Sequence, residues 1–399
     1  MKYVNILLIG LVLLFPGCTF LDVVPEGNIE SIESNFEKRD QTENWFKYCH
    51  FWVSPFTTSV ISNPAYMGTD EVVAGTYLRE SGFNWSGLYI ADGLQRTFDP
   101  YCNMWRRDAV YNSIRYCNTF LEKVWGVYNM TDAEKKLWVA EIKALKAYYY
   151  FELLRHYGPF VVMDENIDPG VPVEDMKKER SPVDVCVEEI VSLLDEAMKD
   201  LPLMKDKERS RWAYHSLESA AALKAMTLFY AASPLFNGNP AYSGFVNSKG
   251  EKLFSQQKDP EKWRYAAEAV DSALLICNRG GKYLISSESD KITDRIKDIE
   301  ASAIALNFEN AEAIYMFRYE SFVNGGWPKW TRPYFNSTDE DYNMEMKGCV
   351  APSLKMVEMY YTEHGLPIEE DKAWWKSVIR WERKTTRGIR MWWLWTRKY

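Results

Sequence analysis

WVAEIKALKAYYYFELL, Trp138 to Leu154, places Trp138, Ile142, Leu145 and Tyr149 at steps of four, three and four. That spacing puts them on one face of an amphipathic helix, and Gly158-Pro159 stops it. Working outward, Ser181 to Met198 opens with a serine cap, a proline at the first helical position and Asp184 three residues on, which predicts a second helix. Tyr214 to Ser233 is alanine-rich and ends at Pro234. Small residues let another backbone approach, so this segment predicts one member of a tightly packed helix pair. Asp259 to Cys277 repeats the theme, with Trp263, Ala267, Val270 and Leu274 on one stripe. Trp105, Trp138 and Trp263 lie on helical stripes and are expected in the core. The fold expectation is a mostly α chain, a scaffold of tetratricopeptide-like helix pairs without a clean 34-residue period.

Between these helices, Asn63 to Tyr101 and Leu306 to Cys349 are rich in Gly, Asn, Asp and aromatic residues and lack helical periodicity. Long irregular segments in a folded chain are usually functional or disordered, and an aromatic-rich composition argues against disorder. The 399 residues include 16 Trp and 25 Tyr, an aromatic share of 15%. Flat rings fill cores, and they are also the surfaces on which sugars and peptides stack.

At the N-terminus, Lys2 precedes the apolar run Ile6 to Phe15, and LLFPGC closes it on Cys18. The run is the length of a signal-peptide core and too short to span a bilayer. Residues 1–17 therefore read as a signal peptide and Cys18 as the acylated first residue of a lipoprotein, since several acyl chains anchor stably where one does not. Removing residues 1–17, with their single lysine, takes the net charge of −8 one unit further negative. So acidic a chain is a poor partner for nucleic acid. The six remaining cysteines, Cys49, Cys102, Cys117, Cys186, Cys277 and Cys349, form no CxxC pair, and no metal spacing links the four histidines. Neither a cofactor nor a metal is expected. Disulfides are compatible with an extracellular chain, but spacing does not pair them.

Several motifs now occur in one order: Cys18 with FLDVVPEG; TDE at Thr69 to Glu71; WRRDAVYNSIRYCNTFLEKV, Trp105 to Val124; EIKALKAYYYFELLRHYGPFVVM, Glu141 to Met163; and SAAALKAMTLFYAASPLFNG, Ser219 to Gly238. Together they resemble the SusD/RagB family of Bacteroidetes outer-membrane lipoproteins, over Cys18 to about Asp371. The resemblance implies a SusD-like helical scaffold with long irregular ligand-binding loops, anchored by lipid on the outer face of the outer membrane. It implies a lid over a SusC-like TonB-dependent transporter that captures an oligosaccharide for import, without catalysis. Tyr148 to Phe151 and Ser233 to Phe236 would then be packing residues. A different reading of the same scaffold is a peptide-binding or purely structural lid without glycan specificity.

A sugar site needs an exposed ring flanked by Asp, Asn, Arg or Gln. Ring stacking contributes roughly 1–3 kcal/mol by analogy with bases, against about 1 for a neutral hydrogen bond, so rings dominate the search. Two clusters fit. The first is TDEVVAGTYLRESGFNWSGLY, with Asp70, Arg79, Asn84, Trp85 and Tyr89; the second is MFRYESFVNGGWPKWTRPYF, with Trp327, Trp330, Arg332 and Tyr334. For each tryptophan, packing against the scaffold stands beside ligand contact.

No Gly-x-Ser-x-Gly elbow, HExxH pair or phosphate loop is present, so nothing in the sequence calls for an enzyme. The domain reading is 1–17 signal peptide, 18–375 SusD-like domain and 376–399 an atypical tail. That tail carries eight Lys or Arg against Glu382, with Trp381, Trp392, Trp393 and Trp395 on no clear stripe. Family members continue further, so the tail is expected to mark a truncated or frameshifted C-terminus.

Overall fold

The computed structural model describes residues 32–52, 63–75, 78–79, 85–106, 109–287, 289–303, 310–315, 350–362 and 364–374. Cys18, residues 1–17 expected to form a signal peptide, and the 376–399 tail lie outside these residues. The chain divides into two units: residues Met1–Val53 with Arg107–Phe317, and residues Ser54–Arg106 with Arg318–Tyr399.

Among the described residues, the first unit is built on seven helices of eleven residues or more: α1 (Arg39–Cys49), α2 (Val110–Lys123), α3 (Asp132–Tyr157), α4 (Val183–Ala197), α5 (Leu217–Ala232), α6 (Glu261–Arg279) and α7 (Ile292–Ala303). From α1 to α6 each helix packs on the next in chain order. This is the sequential helix-pair stacking expected from the sequence, and the protein is mostly helical.

At the centre of this stack lies α3. Thr131 caps it by accepting the Glu134 N–H, Asp132 and Glu134 sit at its positive end, and Arg155 and His156 at its negative end. Gly158 closes it with φ 68, in the left-handed region where a side chain is strained. Trp138, Ile142, Leu145 and Tyr149 are buried as the spacing predicts, but so are Ala140, Ala144, Ala147, Tyr150, Phe151 and Leu153. One apolar face was the expectation; a helix covered on nearly every side is the finding, because α2, α4 and α5 all pack on it. Its Trp138 meets Phe46 of α1 at 5.1 Å between ring centroids, and Phe46 meets Phe120 of α2 at 5.8 Å.

Helix α4 starts at Val183 with Pro182 in the capping position and no side-chain cap. Ser181, the expected cap, instead donates its N–H to the Phe160 carbonyl at 2.9 Å. Helix α5 carries a true capping box, Ser216 with Ser219. The family-typical block ahead of α2 also shifts: Trp105 is half-buried and lies outside any helix, five residues before α2 begins.

The stripe expected to bury α6 faces the other way. Trp263 is 40% exposed and Leu274 57%, whereas Ala273 packs with Ala221 and Ala225 of α5 in a buried cluster. Two alanine faces bring the backbones of α5 and α6 closer than Trp263 or Leu274 would allow. The gain in close packing along the small face decides the register, and the bulky stripe is left outside. Trp263 meets exposed Phe229 in a T-shaped contact, 5.5 Å between ring centroids. Tyr149, Tyr150, Phe151 and Phe236 are buried packing residues as expected, while Leu235 is exposed.

The second unit is built from short pieces. Strand β1 (Val72–Ala74) pairs antiparallel with β2 (Val350–Pro352), Val73 opposite Ala351. A small core of Met67, Leu78, Leu88 and Val350 lies beside them, with Val72, Ala74 and Trp85 against it. Asn63 caps the turn of helix Pro64–Met67, and Ser353 caps Leu354–Glu358. The stretch expected to be irregular from Asn63 to Tyr101 thus holds single helical turns and one strand. No described helix is long and apolar enough to cross a membrane.

Candidate functional site

Within the second unit, the short helix Ser86–Ala91 fixes one wall of an aromatic surface. Trp85 stands at its N-terminus, half-buried against the Met67, Leu78, Leu88 and Val350 core, and its carbonyl accepts the Tyr89 N–H at 3.0 Å. The indole thereby holds the helix, and Tyr89, one turn on, projects a half-buried ring. That ring meets Tyr101, 4.9 Å between centroids and tilted by 39°.

The connection from Gln95 to Tyr101, QRTFDPY, is folded back on itself. The Gln95 amide donates to the Tyr101 carbonyl at 3.1 Å and accepts the Tyr101 N–H at 2.9 Å. Arg96 donates from Nε to the Asp99 carbonyl and from a terminal nitrogen to the Asp99 carboxylate, both at 2.8 Å. Its guanidinium carbon lies 4.7 Å from the Tyr101 ring centroid. Asp99 and Cys102 have φ of 49 and 53, left-handed values that cost free energy in any residue but glycine, and Asp99 also precedes Pro100, which narrows its choices further. Such conformations persist where the surroundings over-determine them, and they cluster at functional sites. Here the Gln95 and Arg96 bonds do so, and the loop presents Phe98 with 88% of its surface exposed.

The arrangement is therefore two contacting rings, Tyr89 and Tyr101, beside a guanidinium, a carboxylate and an amide, with Phe98 exposed on the loop that joins them. Rings offer flat apolar area to the C–H faces of a sugar, and the polar groups offer directed donors and acceptors to its hydroxyls.

The remaining residues singled out in the first cluster fall elsewhere. Arg79 is ion-paired with Asp92, which follows the Tyr89 helix. Asp70 pairs with Lys355, whose ammonium holds the Asp70 carboxyl below its ordinary range, while Ser353 donates to the Asp70 carbonyl. Asp70 and Lys355 are thus a clasp beside the two-stranded sheet. Asn84, Trp327, Trp330, Arg332 and Tyr334 lie outside the described residues. Gln95, Arg96, Phe98 and Tyr101 were missed in the sequence because the search was led by tryptophan. The signal available was Phe-Asp-Pro-Tyr at the end of a stretch without periodicity.

A second concavity belongs to the first unit. It holds about 660 Å³ and is lined by Arg39, Lys47, Trp138, Lys207, Arg211 and Tyr214 among others. Its cations are already engaged: Arg39 with Glu134 and Glu43, Lys47 with Glu43, and Lys207 and Arg211 with Glu141. Trp138 is 1% exposed beneath the Arg39 and Arg211 guanidinium groups, and Arg211 also lies 5.0 Å from the centroid of the half-buried Tyr214 ring. No cluster of three metal-ligating side chains occurs among the described residues.

Residues 50–229 match a SusD-like family described as starch-binding and associating with the outer membrane. Solved structures share the fold. The protein BT4246 superposes with a TM-score of 0.67 at 24% identity, over 84% of this chain and 59% of its own. A SusD-like carbohydrate binding protein of Bacteroides fragilis (BF0978) gives 0.56 at 15%, over 85% and 56%. Surface glycan-binding protein A of Bacteroides thetaiotaomicron gives 0.51 at 15%, over 82% and 61%. The chain thus spans less than two thirds of the length of each of these proteins. No curated protein matches it in sequence.

Proposed function

We propose that this chain, which matches a SusD-like family model over residues 50–229, is a SusD/RagB-type cell-surface glycan-binding lipoprotein that captures oligosaccharide for uptake through a SusC-like TonB-dependent transporter. In this reading the mature chain is anchored in the outer membrane by acyl groups on Cys18, and its part is binding without turnover. The observation that carries the glycan half is the contacting pair Tyr89 and Tyr101 with Arg96 beside it and Phe98 exposed on the same loop. Two proteins of similar fold are themselves a carbohydrate binding protein and a surface glycan-binding protein. The transporter and the anchor rest on the family's association with the outer membrane and on the Cys18 motif.

Calorimetric titration of the mature chain with a panel of oligosaccharides and of peptides tests this reading. A glycan that binds the parent and is lost with Tyr101→Ala supports it. Peptide binding alone, or no ligand at all, would favour the peptide-binding or structural lid instead. Trp327→Ala and Trp330→Ala in the same titrations test the second cluster, and metabolic labelling with a fatty acid tests the anchor through Cys18→Ala.

A further inference from the structure

Helices α1 and α2 run against each other in a register set by their rings: Phe46 meets Phe120 at 5.8 Å, and the Trp45 indole donates to the Tyr116 carbonyl at 3.0 Å. One turn beyond Phe46 on α1 is Cys49, and one turn before Phe120 on α2 is Cys117, so the register of the helix pair places both cysteines, one from each helix, in the next layer beyond the Phe46–Phe120 contact. A single phenol fixes this end: Tyr149 of α3 donates to the Cys49 carbonyl at 2.6 Å. Both cysteines are fully buried; burial, and after it the neighbouring Cys117 side chain, holds the Cys49 thiol well above its ordinary pKa. Cys186, by contrast, spends its thiol on the Ser181 and Phe160 carbonyls.

We propose that Cys49 and Cys117, thiols in this structure, are the partners of a structural disulfide that closes as the chain folds in an oxidising compartment. Cys49 lies just before the chain leaves the first unit and Cys117 just after it returns, because residues 54–106 between them belong to the second unit. The bond would tie the start and the end of the excursion that carries Tyr89, Phe98 and Tyr101. The need for an oxidising compartment rests on the surface location proposed above; the pairing itself does not.

The chemistry is an exchange with an oxidant disulfide, that of an envelope thiol–disulfide oxidoreductase in the cell or of glutathione in the test. One cysteine thiolate attacks that disulfide, releasing one thiolate of the oxidant and forming a mixed disulfide. The second cysteine thiolate then displaces the other, so that the Cys49–Cys117 bond forms, two protons leave the protein thiols and the oxidant gains two electrons. Burial gives the step its order. The sulfurs must meet the oxidant before the core closes, and afterwards the same burial shields the bond from reductants.

The test is to unfold and reduce the mature chain, refold it in a buffer of oxidised and reduced glutathione, block remaining thiols with iodoacetamide, digest, and identify linked peptides by mass spectrometry. A peptide joining Cys49 to Cys117 is expected. Dithiothreitol should then raise the unfolding equilibrium constant of the parent by roughly a hundredfold, while leaving that of Cys117→Ser unchanged. Alkylation of both cysteines after refolding, or a parent whose stability ignores reductant, would overturn the proposal. Neither readout involves a glycan or a membrane, so failure here is distinct from failure of the proposed function.

Discussion

Lys207 and Glu141 form an ion pair 3.0 Å long with neither side chain measurably open to solvent. The other two Lys207 donors reach the carbonyls of Tyr214 and His215 at 2.8 and 2.7 Å, and Arg211 covers the second Glu141 oxygen. Burial pulls the Lys207 ammonium below its ordinary range and the Glu141 carboxylate pulls it back. A buried pair adds little over an apolar replacement, but removing one partner strands the other.

Glu141→Ala is therefore expected to destabilise the first unit by about 3–5 kcal/mol, because it removes the carboxylate that both the buried Lys207 and the half-buried Arg211 contact. Urea unfolding of the parent and the variant measures it. A loss below about 1 kcal/mol would mean that the network is open to water.

Acid should weaken the same region through its histidines. His50 packs between the Phe46 and Tyr214 rings, and its enclosed Nε2 has no hydrogen-bond partner. Burial, and then the Arg211 and Lys207 charges, push its pKa down to about 4; burial pushes His215 well down too. Above the ordinary histidine value near 6.5 both states are neutral and nothing is lost. Between about 6.5 and 4 the unfolded chain takes up protons that the folded chain refuses, so stability falls as pH falls, by about 2–3 kcal/mol for His50. Urea midpoints from pH 7 to 4.5 should show this slope, and His50→Gln should flatten it. An equal slope in the variant would contradict the assignment.

The outward turn of α6 gives a paired prediction. Ala273→Leu should cost about 1–3 kcal/mol by overpacking against α5, and Leu274→Ser should stay within about 0.5 kcal/mol of the parent. Thermal unfolding of both decides it, and the reverse ranking would return the bulky stripe to the core.

That helix shows where sequence reading reaches its limit. The centre of the fold was legible: Trp138, Ile142, Leu145 and Tyr149 carry a clear helical period, and the alanine-rich run from Tyr214 to Ser233 ends at Pro234. For α6 two faces were available, and hydrophobic mass favoured Trp263 and Leu274. Backbone approach between alanines decided otherwise, and that depends on α5, far away in sequence. The candidate site was half legible for a related reason. Tyr89 was found beside Trp85, but Tyr101 joins it only because Gln95 and Arg96 hold Asp99 in a left-handed conformation, and no local pattern marks such a closure.

The most direct measurement is the dissociation constant of a bound oligosaccharide, taken for the parent and for Tyr101→Ala. The lost ring is expected to weaken binding by roughly 1–3 kcal/mol, about 5- to 150-fold, with the circular dichroism spectrum unchanged. Equal affinity for that glycan in the two proteins would contradict the assignment of the contacting Tyr89 and Tyr101 rings as the binding platform.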